Sequence, residues 1–594
     1  MSAPAERRLI RLDGSELPPR AVVGGKAWSL AHMATRGLPV PPAVVITTAA
    51  CRDYLRDGAL PEGLIDEIRD GVAWLEQATG RRFGAGPRPL LMSVRSGAPV
   101  SMPGMMDTVL NLGIDDTTEA ALAADCGDAA FARDTHRRFL ELYARVVLKA
   151  TPPALDPDGT PEQWRAAIDA AAGAVPRTPE ALLLGAVGAV FDSWRSRRAQ
   201  RYRRHHGIDD DLGTAVTLQA MVFGNMGADS GTGVLFSRNP LSGEPEPYGE
   251  YLACAQGEDV VSGSHTPQSL DALAASAPAV HAALLEAAET LEATAGDVQD
   301  IEFTVERGRL FLLQSRAAKR SAQAAVRTAV DLCHEGRIDT AEALRRVTPA
   351  QVHALLSPRL TANAADDAAS LLHGEAASPG VGSGVVVTDS DEAERRAAAG
   401  EAVVLARPST SPDDLHGMLA ARAVVTELGG STSHAAVVGR ALGVPCVVGC
   451  GTGACEQLAG RTVTVDGGAG RVYDGALSVE VPHEDDEAAL AELLAWARTA
   501  SPLRVLAPHE VPAGARVADL AGIEGGADPD AVATALAGLA DRFDGARGGA
   551  IASEAGVAAA MRAGLAFIVA EPRLPALLAA IHVTESAPVE SATA

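Results

Sequence analysis

One histidine in this chain stands where a glycine turn runs into an apolar helix. The run Glu427-Leu-Gly-Gly-Ser-Thr-Ser-His434 continues as Ala-Ala-Val-Val-Gly-Arg-Ala-Leu442. The imidazole of His434 would therefore sit beside the unpaired N–H groups of a helix start, a place that can hold an anion. Thr432 and Ser433 are candidate caps for this helix, and Gly443-Val-Pro445 ends it before a short strand at Cys446 to Val448. A neutral imidazole is a competent nucleophile near pH 7, so the arrangement suits a carrier of a phosphoryl group. A lone histidine of this kind is most often a cap or packing residue; the length of the patterned run favours chemistry here.

Three further stretches carry groups that handle phosphate. Gly24-Gly25-Lys26 leads into a helix and offers backbone donors with one mobile ammonium, although such a motif alone is more often a surface lysine after a flexible turn. Leu90 to Arg95 reads as a strand ending on an arginine able to grip phosphate oxygens. A loop rich in Met, Pro, Gly and Ser follows, Ser101-Met-Pro-Gly-Met-Met-Asp-Thr108, which could close over them. Asp300 to Arg316 reads as a hairpin whose register can be computed. A two-residue turn at Arg307-Gly308 would set Glu302 opposite Leu313 and point Gln314 away. A three-residue turn, Arg307 to Arg309, pairs Asp300 with Arg316, Glu302 with Gln314 and Thr304 with Leu312, and leaves Ile301, Phe303, Val305, Phe311 and Leu313 on a core side. The second register is the expectation. Its polar face collects two carboxylates, a carboxamide and a guanidinium, which suits Mg²⁺ bridging phosphate oxygens, though an exposed face with a cross-strand ion pair explains the pattern as well.

The histidine run resembles the phosphohistidine domain of the enzymes that make or use phosphoenolpyruvate (PEP), whose motif reads Gly-Gly-x-Thr-Ser-His-Ala-Ala-x-x-x-Arg. Ser101 to Thr108 resembles the signature of the pyruvate, phosphate dikinases within that family. The resemblance implies an ATP-grasp nucleotide-binding domain and a swivelling β/β/α carrier domain. Carried over position by position, it implies that His434 is phosphorylated from ATP, that Lys26, Arg95 and Arg316 hold phosphates with Gly104 in the covering loop, and that Glu302 and Gln314 bind Mg²⁺ with Asp300 assisting. Arg407 and Thr410 would neighbour the phosphohistidine, and Thr432 matches a threonine that some relatives regulate by phosphorylation. In the dikinase version AMP leaves and a second phosphoryl group goes to inorganic phosphate.

The elements that must position these groups make a multidomain α/β chain. At 594 residues it exceeds one core and calls for three or four domains. The expected division is a nucleotide-binding domain at 1–345 with a helical insertion near 115–206, a helical linker at 346–373, the carrier domain at 374–482, and a small C-terminal α/β unit at 483–594 with a disordered tail from Glu585. Within the insertion Pro179 to His206 reads as one helix, and its basic run Arg195, Arg197, Arg198, Arg201, Arg203, Arg204 reads as a solvated face. In the last unit strands are expected near 503–507, 549–552 and 566–570, and helices at 529–541, 554–563 and 573–581.

A net charge of −25 argues against nucleic acid or an anionic membrane as partner, so any phosphate site must be a local basic pocket. Seven cysteines over this length do not make a disulfide framework, and Cys446, Cys450 and Cys455 read as small hydrophobes rather than ligands. The first residues lack an apolar signal segment, so a cytoplasmic location is expected. The resemblance also implies a (β/α)8 barrel for pyruvate or PEP after the carrier, which takes about 250 residues. The 112 residues from 483 to 594 are too few for it, so the acceptor is expected to be bound by a separate barrel protein or by the C-terminal unit. The leading expectation is a dikinase-like phosphotransferase; the rivals are a catalytically incomplete nucleotide-binding regulatory subunit and a phosphotransferase acting on a small molecule such as an antibiotic.

Overall fold

The computed structural model describes residues 7–586 apart from 101, 103–104, 258–266, 357–358, 362–363, 365–367, 443, 481, 521–532 and 537–541. Gly104, the tail beyond 586 and most of the helix expected at 529–541 lie outside the described residues. None of the described helices is long and apolar enough to cross a membrane.

In chain order the first strands are β1 (Leu9–Arg11), β2 (Ala43–Ile46), the short pair β3 (Arg82–Phe83) and β4 (Pro89–Leu90), then β5 (Met92–Gly97), β6 (Thr108–Leu112) and β7 (Ala215–Ala220). Five of them form an antiparallel sheet in the order β1-β2-β7-β5-β6. One face of this sheet, through Val44, Ile46, Met92, Val94, Val216 and Leu218, packs into a core shared with helices Ala129–Val146 and Pro179–Ser193. Arg95 alternates to the other face. The expected single helix Pro179 to His206 is two, Pro179–Ser193 and Arg197–His206, because Ser196 caps the second by accepting from the Ala199 amide.

A second antiparallel sheet runs β10-β9-β8-β11-β12, from β8 (Gly231–Phe236), β9 (Tyr248–Ala253), β10 (Gln268–Ser269), β11 (Gln299–Glu306) and β12 (Arg309–Ala317). The β11–β12 hairpin joins both registers considered from sequence. Its turn is Arg307-Gly308, so Glu306 faces Arg309, Val305 Leu310, Thr304 Phe311 and Phe303 Leu312. A bulge between Glu302 and Phe303 then shifts the pairing, giving Glu302 with Gln314 and Asp300 with Arg316. The three-residue turn and the Thr304–Leu312 pair are therefore corrected. The side chains in the core are Ile301, Phe303, Val305, Leu310 and Leu312, while Phe311 and Leu313 are half-buried. A two-residue turn satisfies the strand twist, and the bulge places both hydrophobic sets inward.

Helix Arg20–Ala34 joins the two sheets. It breaks at Gly24, whose φ of 75° favours glycine and whose Cβ would lie 1.8 Å from the Gly97 carbonyl. The Ser29 hydroxyl donates to Ser315 O at 2.7 Å and accepts from Ser315 N at 2.8 Å, fixing the helix to β12.

The carrier unit is an eight-stranded mixed sheet, β14-β21-β20-β16-β17-β18-β19-β15. Its strands are β14 (Ser370–His373), β15 (Glu375–Ser378), β16 (Val381–Val387), β17 (Val403–Arg407), β18 (Ala423–Thr426), β19 (Cys446–Val448), β20 (Thr462–Asp466) and β21 (Arg471–Asp474). In the stretch expected as a helical linker, 346–373, the described residues hold the end of helix Thr340–Arg346, the helix Pro349–Leu355 and a helical Ala364, and β13 (Arg359–Leu360) pairs with β22 (Val479–Glu480). Both crossings to the carrier thus run together as an antiparallel ribbon.

The C-terminal unit has four parallel strands in the order β23-β26-β25-β24, namely β23 (Arg504–Leu506), β24 (Val517–Asp519), β25 (Gly545–Arg547) and β26 (Phe567–Val569). The strand expected at 549–552 is a 3₁₀ turn. Its core continues into helices Ala322–His334, Thr340–Arg346 and Pro349–Leu355, through Val326, Val330, Leu344 and Val352. Glu484, in the acidic stretch, is 5% exposed and accepts from Arg573 Nε at 2.7 Å and from the Arg573 and Leu574 amides at 2.8 and 3.0 Å. Removing one member of a buried, hydrogen-bonded ion pair strands the other charge. Glu484→Ala is expected to lower the stability of this unit by about 3–5 kcal/mol, read as an earlier urea transition; an unchanged transition would show that the pair is not holding the unit.

Candidate active site

Five of the charged residues singled out from sequence meet between the two sheets. Asp300 Oδ2 accepts from Arg316 Nε at 2.8 Å, and Glu302 lies 3.7 Å from the Arg95 guanidinium. Gln314, directly opposite Glu302, is 7% exposed. Lys26 reaches the same cluster from helix Arg20–Ala34: burial and the nearby Arg95 and Arg316 charges lower its pKa to about 8, against a smaller raising effect of Glu302. The group sets three cations, Lys26, Arg95 and Arg316, around the carboxylates of Asp300 and Glu302 and the carboxamide of Gln314.

His434 opens helix His434–Leu442 in the carrier unit. Its Nδ1 is 3.2 Å from Thr410 Oγ1. Burial lowers the imidazole pKa, Lys319 acts in the same direction, and Asp414 opposes them. The ring is thus neutral at pH 7. Arg407 reaches Asp414 at 3.2 Å and donates to Thr388 O at 2.9 Å, so it stands behind the histidine rather than on it. The expected caps behave differently. Ser433 takes the cap position with its carbonyl, which accepts from Val437 N at 3.0 Å, while its buried hydroxyl has no partner among the described residues. The Thr432 hydroxyl is drawn to a stronger acceptor, a carboxylate.

That carboxylate is Glu250 on β9, a residue that sequence reading passed over. Glu250 is 7% exposed and accepts from Ser431 N at 3.0 Å, Ser431 Oγ at 2.8 Å and Thr432 Oγ1 at 2.5 Å. Burial raises its pKa despite these bonds. Tyr248, two residues earlier on the same strand, lies 2.9 Å from Glu375 Oε1 and 2.8 Å from Ser431 Oγ. A Cβ on Gly430 would stand 2.5 Å from Glu250 Oε1, which explains the second glycine of the motif. The carrier loop is therefore seated on the sheet that bears the hairpin. Lys319, just past β12, links the two regions, since its pKa is lowered by burial and by the Arg316 charge and it acts in turn on His434. The only signal for Glu250 in the sequence is an acid in the middle of a strand of otherwise apolar and aromatic character.

Two family models match regions that contain Lys26, Arg95, Glu250 and His434 and leave out the β11–β12 hairpin. A family model described as the mobile domain of PEP-utilising enzymes matches residues 399–470, and one described as the AMP/ATP-binding domain of pyruvate phosphate dikinase matches 20–74 and 57–284. The chain is thus a multidomain α/β protein with one region similar to an AMP/ATP-binding domain and one similar to a mobile domain of PEP-utilising enzymes. Pyruvate, phosphate dikinase of Rhizobium meliloti is 42% identical over 551 residues, 85% of this chain and 61% of that protein. Pyruvate, phosphate dikinase 2 of Zea mays is 41% identical over 542 residues (85% and 61%), and the Clostridium symbiosum enzyme 40% over 545 (85% and 62%). Over the part they cover, these matches make the chain similar to pyruvate, phosphate dikinases; it spans about three fifths of the length of these relatives.

If Glu250 holds the carrier loop, its removal must expose the Ser431 amide. Glu250→Ala is expected to speed hydrogen exchange over residues 430–434 by about 10- to 100-fold, with little change over the hairpin. Unchanged exchange would mean that the loop is held by other contacts.

Proposed function

We propose that this chain is an ATP-dependent phosphotransferase of the dikinase type, in which a nucleotide bound between the two antiparallel sheets phosphorylates His434. The two sheets then correspond to the halves of an ATP-grasp fold and the eight-stranded unit to a swivelling carrier. The observation that carries the reading is the seating of Gly430–Ser433 on β9 beside the basic cleft, which brings the imidazole to the nucleotide side of the molecule.

In this reading Lys26, Arg95 and Arg316 grip the phosphates and Asp300 fixes the Arg316 fork. Glu302 and Gln314, opposed on one hairpin face, offer oxygens that would hold a Mg²⁺ ion, which would supply charge neutralisation. With Nδ1–H donating to Thr410, Nε2 of His434 carries the lone pair that attacks phosphorus. The unpaired Ser433 hydroxyl and the helix N–H groups are spare donors for the phosphoryl oxygens. A phosphate on Thr432 would meet the Glu250 carboxylate and unseat the loop, which makes Thr432 a regulatory site in this scheme. AMP release, use of inorganic phosphate and delivery to pyruvate, the acceptor in the relatives' name, belong to the same proposal; a separate barrel partner gains no support from the comparisons.

Incubation with β-labelled and γ-labelled ATP tests this directly. Acid-labile label is expected on the wild type and absent, by at least about 100-fold, from His434→Ala; equal labelling of the two proteins would end the proposal. Lys26 gives an independent test of the cleft. A lysine held near pH 8 and raised by a triphosphate takes up a proton on binding wherever the pH lies between the two values, so MgATP should bind with uptake of about 0.7 proton at about pH 8.5 and almost none at about pH 6.5. Calorimetry in buffers of different ionisation enthalpy reads this, and Lys26→Met should abolish it. Uptake that persists in the variant would assign the proton elsewhere.

A further inference from the structure

The basic run is solvent-exposed as expected except at the buried Arg203, and its first three members, Arg195, Arg197 and Arg198, border a cavity of about 790 Å³ on the helical insertion. Arg145, Lys149, Arg195, Arg197 and Arg198 face it, with only Asp107 and Asp192 opposing them. Lys149 is 3.5 Å from Asp192, and Arg198 pairs with Asp107. Arg145, Arg195 and Arg197 have no ion-pair partner among the described residues. Three exposed guanidiniums without an ion-pair partner among the described residues border one hollow, and their like charge favours an anion there. In a chain of net charge −25 such a local concentration is not the average surface. The same net charge disfavours an extended anionic partner and admits a small one that enters the hollow.

The cavity is separate from the nucleotide cleft. It shares none of Lys26, Arg95, Glu302, Gln314 and Arg316, and it lies on the side of the first sheet covered by helices Ala129–Val146 and Pro179–Ser193. Its wall is fixed to the methionine loop, since Arg198 Nε donates to Met105 O at 3.2 Å and Met102 and Met105 pack with Trp194 and Ala199. A second hollow of about 340 Å³, lined by Tyr54, Leu60, Leu184, Gly185 and Gly188, adjoins it at Lys149 and Asp192 and offers room for an apolar group beyond the charged end.

We propose that this cavity is a binding site for a small oligophosphate-bearing molecule, distinct from the nucleotide cleft and independent of the phosphotransfer reading. Fork-shaped guanidiniums recognise phosphate oxygens in pairs, and three of them match a chain of two or three phosphates. Inorganic tripolyphosphate, titrated calorimetrically into the full chain without metal at low salt, is the probe. The wild type is expected to bind one equivalent more than the Arg145→Ala/Arg195→Ala/Arg197→Ala variant, or to bind it about tenfold more tightly, with affinity falling as salt rises. Lys26→Met should keep that equivalent. All three arginines are exposed, and unchanged circular dichroism of the variant verifies its fold. Identical titrations of wild type and triple variant, or loss of the equivalent with Lys26→Met alone, would overturn the assignment.

Discussion

A carboxylate taken out of water at the junction of two structural units is costly unless donors surround it, and the seating of the carrier depends on how Glu250 meets that demand. Its three donors all come from Ser431 and Thr432, the residues leading into His434. A loop that satisfies the carboxylate cannot slide or turn without leaving it bare. The constraint runs back into the sequence. Gly430 has no room for a side chain against Glu250, and the Thr432 hydroxyl is diverted from capping to docking.

On the other side of the junction the cleft is assembled by a helix with a break and a hairpin with a bulge. Gly24 turns the chain so that Lys26 stands over β12, and Ser29 locks the position. The bulge beside Glu302 lets Phe303 and Leu312 enter the core while Glu302 and Gln314 stay together on the cleft face. The result crowds three cations, and the lowered Lys26 pKa is their mutual repulsion added to burial. Such a site stores unfavourable charge that a polyanion would relieve.

Much of this was legible beforehand. The pairing of Asp300 with Arg316 and Glu302 with Gln314 followed from alternation, and Thr410 beside His434 followed from family likeness. The turn length did not, because alternation fixes which residues share a face but cannot see a bulge that changes the count midway. Glu250 and Tyr248 were missed for a related reason. Their partners lie 181 to 183 residues away in Ser431, and no local pattern marks an acid whose donors come from another unit. The strand in the linker was missed because β13 and its partner β22 are two residues each, too short to show a period. The helices before it share a core with the C-terminal unit, a partnership visible only in three dimensions.

The crossings β13 and β22 pair over two residues each, and the contacts of Glu250 and Tyr248 seat the carrier beyond that ribbon. The central claim is that this seating delivers His434 to the nucleotide. Rapid-quench measurement of AMP formed in one turnover, comparing wild type with Glu250→Arg, tests it most directly. The account predicts a burst reduced by at least about tenfold with MgATP affinity unchanged. A burst of undiminished rate in the variant would contradict it.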